Sequence, residues 1–185
     1  MFVRTNRLLL RPGWIEDAPS LARAVNSDPA IARNTVRIPW PYTLDDALAF
    51  LTLNQSPPTP ACLVFARTSG APRLVGSVGI HPGEQGLEIG YWIARPYWGL
   101  GFATEAASGL LRAARSSLKL GCIYSGHFAD NPASGRVLHK LGFRPTGRVV
   151  SRHSVARGGE ADCLLYAEAS DAACADPTMR CLKAA

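Results

Sequence analysis

Leu87-Glu88-Ile89-Gly90-Tyr91-Trp92-Ile93-Ala94-Arg95-Pro96-Tyr97-Trp98-Gly99-Leu100-Gly101-Phe102-Ala103-Thr104-Glu105-Ala106-Ala107 is the stretch from which the fold is read. It begins with the period of an extended chain: Leu87, Ile89, Tyr91 and Ile93 alternate with Glu88, Gly90 and Trp92. Pro96, which has no N–H to give to a ladder, stops the strand. From Ala103 onward Ala106, Ala107, Leu110, Leu111 and Ala114 recur at helical spacing and form an apolar stripe. Between strand and helix lie Gly99 and Gly101. Glycines at such a turn let backbone N–H groups face outward, and a helix N-terminus adds unpaired donors and a partial positive charge. The product is a cradle for an anion such as a phosphate or pyrophosphate. It is not a P-loop, since Phe102, Ala103 and Thr104 follow Gly101 where Gly-Lys-Ser/Thr is required. Nor is it a dinucleotide fingerprint, since Thr104 stands in the third glycine's place.

Outward from this stretch, 185 residues with 47% hydrophobic and 18% charged content suit one globular domain, expected over residues 1–169 with a loose tail over 170–185. No apolar run approaches the ~20 residues of a membrane span. Met1-Phe2-Val3-Arg4 lacks the apolar core of a signal peptide. Five scattered cysteines (Cys62, Cys122, Cys163, Cys174, Cys181), without a C-x-x-C pair, point to reduced thiols, a cytoplasmic setting and no metal site. The net charge of +6 is spread from Arg4 to Lys183 with no dense basic block, which argues against nucleic acid and fits a polyanionic cofactor or an acidic or ribosome-associated partner.

In chain order, a strand is expected over residues 7–11 and a helix from Glu16 to Asn26. Asp28 caps a short helix at Pro29. A stiff aromatic loop, Ile38-Pro39-Trp40-Pro41-Tyr42, comes next, and Thr43 then caps a helix to about Asn54, with Asp45 and Asp46 in its first turn. After a connector at 55–60, two strands (62–67, 74–80) form a hairpin, and residues 81–86 make a turn into the central strand. Gly121 is expected to end the long helix. A strand at 122–128, a helix at 132–141 opened by Asn131 or Asp130, and strands at 144–151 and 163–167 complete the chain. This is a mixed α+β layout, a mostly antiparallel twisted sheet with helices on both faces.

L-E-I-G-Y-W-I-A, Y-W-G-L-G-F-A-T-E-A and N-P-A-S-G-R-V-L-H-K-L-G-F (residues 131–143) resemble the GCN5-related N-acetyltransferases, and among them the ribosomal-protein N-terminal acetyltransferases. The loop at 39–43 with Asp45, Asp46 and Ala47 resembles that branch as well. The likeness runs from about Arg7 to Ala167. It implies acetyl-CoA as co-substrate, with Gly99, Leu100, Gly101, Phe102, Ala103 and Thr104 supplying backbone donors to the pyrophosphate. It implies that Ile93 or Ala94 polarises the thioester carbonyl, and that Asn131 and Ser134 flank the pantetheine arm. Trp98 stands where the wider superfamily has Arg or Gln, and Leu138 where many relatives carry a tyrosine acid. If a side chain protonates the departing thiolate, Ser134 is the remaining candidate.

Acyl transfer to an amine needs a proton acceptor, since an α-amino group has a pKa of about 7.7–8.0, and it needs the two reactants held together. Glu88, on the central strand, is the candidate general base, against the reading of a solvated or salt-bridged strand carboxylate. Ser134 is either the acid or a helix residue bonding its own backbone. Trp40, Tyr42 and Tyr91 are candidate walls of an acceptor pocket, or simply packed aromatics. Arg136 and Lys140, one turn apart, face cofactor phosphates or solvent. His127 reads as packed, and the cysteines as structural.

The expectation is direct acetyl transfer to a primary amine by a monomer or homodimer. The alternatives are a small-molecule amine acetyltransferase or a non-catalytic acetyl-CoA-binding module. Peptide N-termini, amino acids, polyamines and aminoglycosides are all open as acceptors. The scarcity of carboxylates in the acceptor loops tilts the choice toward a protein or peptide N-terminus, a ribosomal protein included, or a small amine with an apolar body.

Overall fold

The computed structural model describes residues 1–53, 59–118 and 120–169. Eight strands form one sheet in the order β1-β2-β3-β4-β5-β6-β8-β7. They are β1 (Val3–Arg4), β2 (Leu8–Arg11), β3 (Ala61–Ala66), β4 (Arg73–Gly83), β5 (Gly86–Ile93), β6 (Ile123–Phe128), β7 (Phe143–Ser154) and β8 (Gly159–Glu168). Every neighbouring pair is antiparallel except β5 and β6. The helices are α1 (Ala18–Val25), α2 (Pro29–Arg33), α3 (Leu44–Leu53), α4 (Phe102–Ser117) and α5 (Pro132–Lys140).

The alternation in β5 sorts the two cores. Ile89 and Ile93 pack with Ala106, Leu110 and Leu111 of α4 and with Leu138 of α5. Trp92 packs with Leu21 and Val25 of α1 and Leu51 of α3. Helices therefore lie on both faces, as expected. Leu110 and Leu138 are fully buried, each worth about 1.5–3 kcal/mol relative to exposure.

The helix starts follow the chemistry of their first residues. Asp28 accepts from Ala30 N–H at 2.8 Å, and Pro29 occupies a first-turn place where no N–H is missed. Thr43 and Asp46 form a reciprocal capping box: Asp46 N–H donates to Thr43 Oγ1 (3.1 Å) and Thr43 N–H to Asp46 Oδ2 (2.8 Å).

Several boundaries differ from the sequence reading. β1 was not foreseen, because two residues carry no period. The helix expected from Glu16 opens as a 3-10 turn, Ile15–Asp17, pinned where Trp14 N–H donates to Asp17. β4 runs on through His81 and Pro82 to Gly83, leaving only Glu84-Gln85 as the turn. Pro82 is tolerated because it lies one place from the closing Gly83–Gly86 pair, where an antiparallel ladder makes no bond. Gly121 is not the C-cap of α4, which ends at Ser117 with Leu118 already extended. Gly142 does end α5, at φ +88° with its N–H on His139 O (3.0 Å). The last two strands form a longer hairpin than expected, since residues 152–154 pair with 159–161 although polar residues blur their alternation. Cys62 and Cys163 are free and buried, but Cys122 is disulfide-bonded, which departs from the expectation of reduced thiols throughout. The tail from Ser170 and most of the 55–60 connector lie outside the described residues.

Candidate functional site

β5 and β6 pair only at Leu87–Ile123 and Glu88–Tyr124. Beyond that point β5 stays with β4 and β6 with β8, so the sheet opens into a wedge. At its apex Ser125 Oγ donates to Ile89 O at 2.8 Å, taking the place of the next backbone partner. Ala94 N–H donates to Val75 O at 2.8 Å. Bonded and non-bonded pairs alternate in an antiparallel ladder, so the amides of Tyr91 and Ile93 point away from β4 into the wedge. That geometry separates the two expected carbonyl-polarising residues: Ala94 is committed to β4, and Ile93 is not.

The cradle sits where the wedge ends. Gly99 and Gly101 both have φ +78°, a region unfavourable to any residue with a Cβ. Trp98 through Gly101 are exposed and lead into the first turn of α4, Phe102 to Thr104. The Trp98 indole N–H donates to Ile93 O at 2.5 Å, and its ring lies against the Arg95 guanidinium. Trp98 thus ties the cradle to the strand end instead of offering a charge. Asn131 is the N-cap residue of α5 but makes no side-chain capping bond, so its amide remains for other partners; Asp130 instead pairs with Arg157. Arg136 and Lys140 are exposed on α5.

Tyr91 and Ser134 meet across the wedge, Tyr91 Oη to Ser134 Oγ at 2.9 Å. Burial pushes the Tyr91 phenol up to about 12, so it holds its proton at neutral pH. The structure therefore removes Tyr91 from the acceptor pocket, because odd residues of β5 face α4 and α5. Tyr42 is likewise not a pocket wall: it is buried in the α1–α3 core with its hydroxyl donating to Asp46 O. Trp40 remains partly exposed, at 39%.

On the opposite face Glu88 is 5% exposed, with both carboxylate oxygens held by Arg152 at 2.6 and 2.9 Å. Gly83 leaves the room for that carboxyl, since a Cβ there would run into it. His81 is the register partner of Glu88 and shares its face. Its Nδ1 lies 3.2 Å from Pro82 O, a contact that makes Nδ1 the donor and leaves Nε2 as acceptor. Nε2 projects over Gly90, 3.4 Å from where a Cβ would stand. The sequence reading missed His81 because it placed that residue in a turn; Pro82 beside it hid the strand. His127 is packed, as expected, with Nδ1 on Phe128 O at 2.8 Å and its ring against Tyr166.

The hairpin between β7 and β8 roofs this face. Ser154 Oγ donates to Thr35 O (2.9 Å), Val155 N–H to Val36 O (3.0 Å), and Arg157 grips both Arg33 O and the Asp130 carboxylate. Arg95 fastens the α1–α2 loop to the end of β5 through Ser27 and Asp28. Buried Cys62, its thiol pushed up to about 11 by desolvation, is no nucleophile.

The chain is 27% identical to the acetyltransferase (GNAT family) from Bacillus anthracis, with a TM-score of 0.73 over 90% of this chain and 97% of that one. RimL, a ribosomal L7/L12 alpha-N-protein acetyltransferase solved with coenzyme A, shares the fold at 18% identity and a TM-score of 0.75, covering 91% and 97% of the two chains. The Microcin C7 self-immunity acetyltransferase MccE, in complex with acetyl-CoA and AMP, does so at 19% and 0.72, covering 89% and 93%. N-acetyltransferase YoaA of Bacillus subtilis (strain 168) is 36% identical over 96 residues, 50% of this chain and 54% of that protein, so the chain spans about half the length of this curated relative. The acetyltransferase (GNAT) domain model matches residues 7–144, three quarters of the chain, and the chain belongs to the GNAT acetyltransferase family.

Proposed function

We propose that the chain is an acetyl-CoA-dependent N-acetyltransferase that passes the acetyl group directly to a primary amine. The observation that carries this reading is the continuity of the wedge with the cradle: amides along β5 turned away from β4 lead straight to the glycine turn at the start of α4. Acetyl-CoA, when bound, supplies a thioester-activated acetyl group. Gly99 to Thr104 would hold its pyrophosphate, and Asn131 would hold the arm. The Tyr91 and Ile93 amides stabilise negative charge as it develops on the carbonyl oxygen. His81 Nε2 accepts the proton of the attacking amine on the α1–α3 face, while the Glu88–Arg152 pair forms the floor beside it. Ser134, backed by the Tyr91 phenol, returns a proton to the leaving sulfur. No acyl-enzyme is needed.

The acceptor we propose is a protein or peptide N-terminus or an apolar-bodied small amine, reached under the β7–β8 roof past Trp40. The RimL neighbour acts on a ribosomal protein N-terminus, which supports this acceptor class by fold alone. The test is thiol release from acetyl-CoA across a panel of tetrapeptides and small amines, alongside calorimetry with CoA. Acceptor-dependent thiol release is expected. Label from acetyl-CoA found covalently on the protein would exclude direct transfer. One observation favours a second reading, a non-catalytic acetyl-CoA binder: both oxygens of Glu88 are engaged. CoA binding with no turnover on any amine would select it.

A further inference from the structure

Arg7 lies 93 residues before the cradle in sequence, yet its guanidinium is built into it. Arg7 Nη1 donates to Leu100 O at 2.9 Å. Nε donates to Glu105 Oε2 at 2.7 Å, and the backbone N–H of Arg7 donates to Glu105 Oε1 at 2.8 Å. Thr5 Oγ1 donates to the same Oε1 at 2.6 Å. The guanidinium lies 4.7 Å over the Phe102 ring, which fixes its plane. Its remaining nitrogen, Nη2, makes no bond among the described residues and points at Gly101, 3.6 Å from where a Cβ would stand. The side chain is 49% exposed, so this end is accessible.

Three consequences follow for an anion in the cradle. The Leu100 carbonyl, held by Nη1, is turned away from the anion, which orients the next peptide N–H, that of Gly101, toward it. Glu105 stands in the first turn of α4, where a free carboxylate would repel a bound pyrophosphate; Arg7 and Thr5 cover it. Nη2 then offers a charged donor at the cradle mouth, the kind of group that Trp98 does not supply. A planar fork can do all of this at once because its donors are set in fixed directions.

We propose that Arg7 is a phosphate-binding residue of this site, which orders the Gly99–Gly101 turn, neutralises Glu105 and contacts the pyrophosphate of the bound co-substrate through Nη2. The inference rests on the acetyl-CoA reading above.

The experiment compares wild type, Arg7→Gln, Glu105→Gln and the double variant. Calorimetry reads CoA affinity, and kinetics compare acetyl-CoA with acetylpantetheine, which lacks the pyrophosphate. Arg7→Gln should weaken CoA about 10–100-fold, the worth of one or two charge-assisted hydrogen bonds. It should leave kcat/KM for acetylpantetheine near wild type. Adding Glu105→Gln should restore part of the lost affinity, because the uncovered carboxylate is gone; a merely structural clamp would give no such recovery. Unchanged CoA affinity in Arg7→Gln, or an equal loss with acetylpantetheine, overturns the inference. If Arg7→Gln does not fold, Arg7→Lys takes its place; it keeps the charge but cannot span Leu100 and Glu105. A several-fold fall in preference for acetyl-CoA over acetylpantetheine is then expected, and an unchanged preference overturns the inference. Wild-type protein that binds no CoA sinks the acetyltransferase reading and this inference together. Wild-type binding that is indifferent to Arg7 sinks this inference alone.

Discussion

Arg152 on β7 grips both carboxylate oxygens of Glu88 on β5, at 2.6 and 2.9 Å, across 64 residues of sequence. β6 and β8 lie between these two strands in the sheet, so the pair reaches across the face of the sheet instead of bonding edge to edge. The hydrogen bonds with Glu88 hold the Arg152 guanidinium even more firmly charged than usual. Both oxygens of this carboxylate are engaged by Arg152, which is why His81 is the base we propose.

Removing one partner of this pair strands the other charge in the interior. Arg152→Gln should cost about 3–5 kcal/mol of stability, read from denaturant midpoints. The double variant Glu88→Gln/Arg152→Gln should recover most of that loss. Equal midpoints for Arg152→Gln and wild type would show that the pair is solvated.

His81→Gln should lower kcat by about 10²–10⁴-fold, the usual worth of a positioned base, with CoA affinity unchanged. The deficit should shrink as the pH rises above about 8, where an α-amino acceptor is already deprotonated. Steady-state rates from pH 6 to 9.5 decide this. If Glu88→Gln shows that pH-dependent deficit and His81→Gln does not, the roles are reversed.

Ser134→Ala should reduce kcat by about 10²-fold or more if its hydroxyl protonates the leaving thiolate. Tyr91→Phe should produce a smaller loss, because Ser134 survives but its proton reserve does not. Burial keeps the Tyr91 phenol up at about 12, so the wild-type rate should show no loss attributable to Tyr91 ionisation up to pH 10. Pre-steady-state thiol release measures each. Wild-type rates in Ser134→Ala would return the pair to a purely packing role.

Gly101→Val forces a branched residue to φ +78°. The strain should cost about 1–3 kcal/mol, and CoA affinity should fall sharply as the turn moves. Gly70→Ala, at a loop position where a Cβ meets nothing within 4 Å, is the control and should leave CoA affinity unchanged. Calorimetry on both variants, with thermal melts, separates binding loss from unfolding.

Acid should loosen the framework through its paired carboxylates. Burial works to raise the Asp17 carboxyl, but the Arg11 and Trp14 hydrogen bonds and the Arg11 charge outweigh it and leave it below its ordinary value. Desolvation likewise opposes, and the Thr5 and Arg7 bonds overcome, the shift at Glu105. Arg157 lowers Asp130 directly by hydrogen bonding. A depressed carboxyl contributes stability above its unfolded pKa, about 4, and loses it as pH falls through the folded value. Stability should therefore be flat from pH 7 to 5 and decline below about 4, as urea midpoints would show. A decline beginning near pH 6 would point to another group.

What the residues determined alone is local. Period-2 alternation in Leu87–Ile93, two glycines before an apolar helical stripe, Asp28 and Thr43 as caps and Gly142 as a stop are all short-range, so each could be read without a partner. They specified the central strand, the glycine turn and the long helix that follows it.

Tertiary structure decided which groups meet. The ladder phase between β4 and β5, set by the Gly83–Gly86 closing pair, turned the Ile93 amide away from β4 and committed that of Ala94 to Val75. Pairing parity sent Tyr91 to Ser134 and Glu88 to Arg152, and set His81 over Gly90. Arg7 reached the cradle because β2 lies beside the start of α4. The Tyr91–Ser134, Glu88–Arg152 and Arg7–Glu105 contacts join residues 43, 64 and 98 positions apart, and their energies depend on register and burial, which composition and spacing along one chain do not encode.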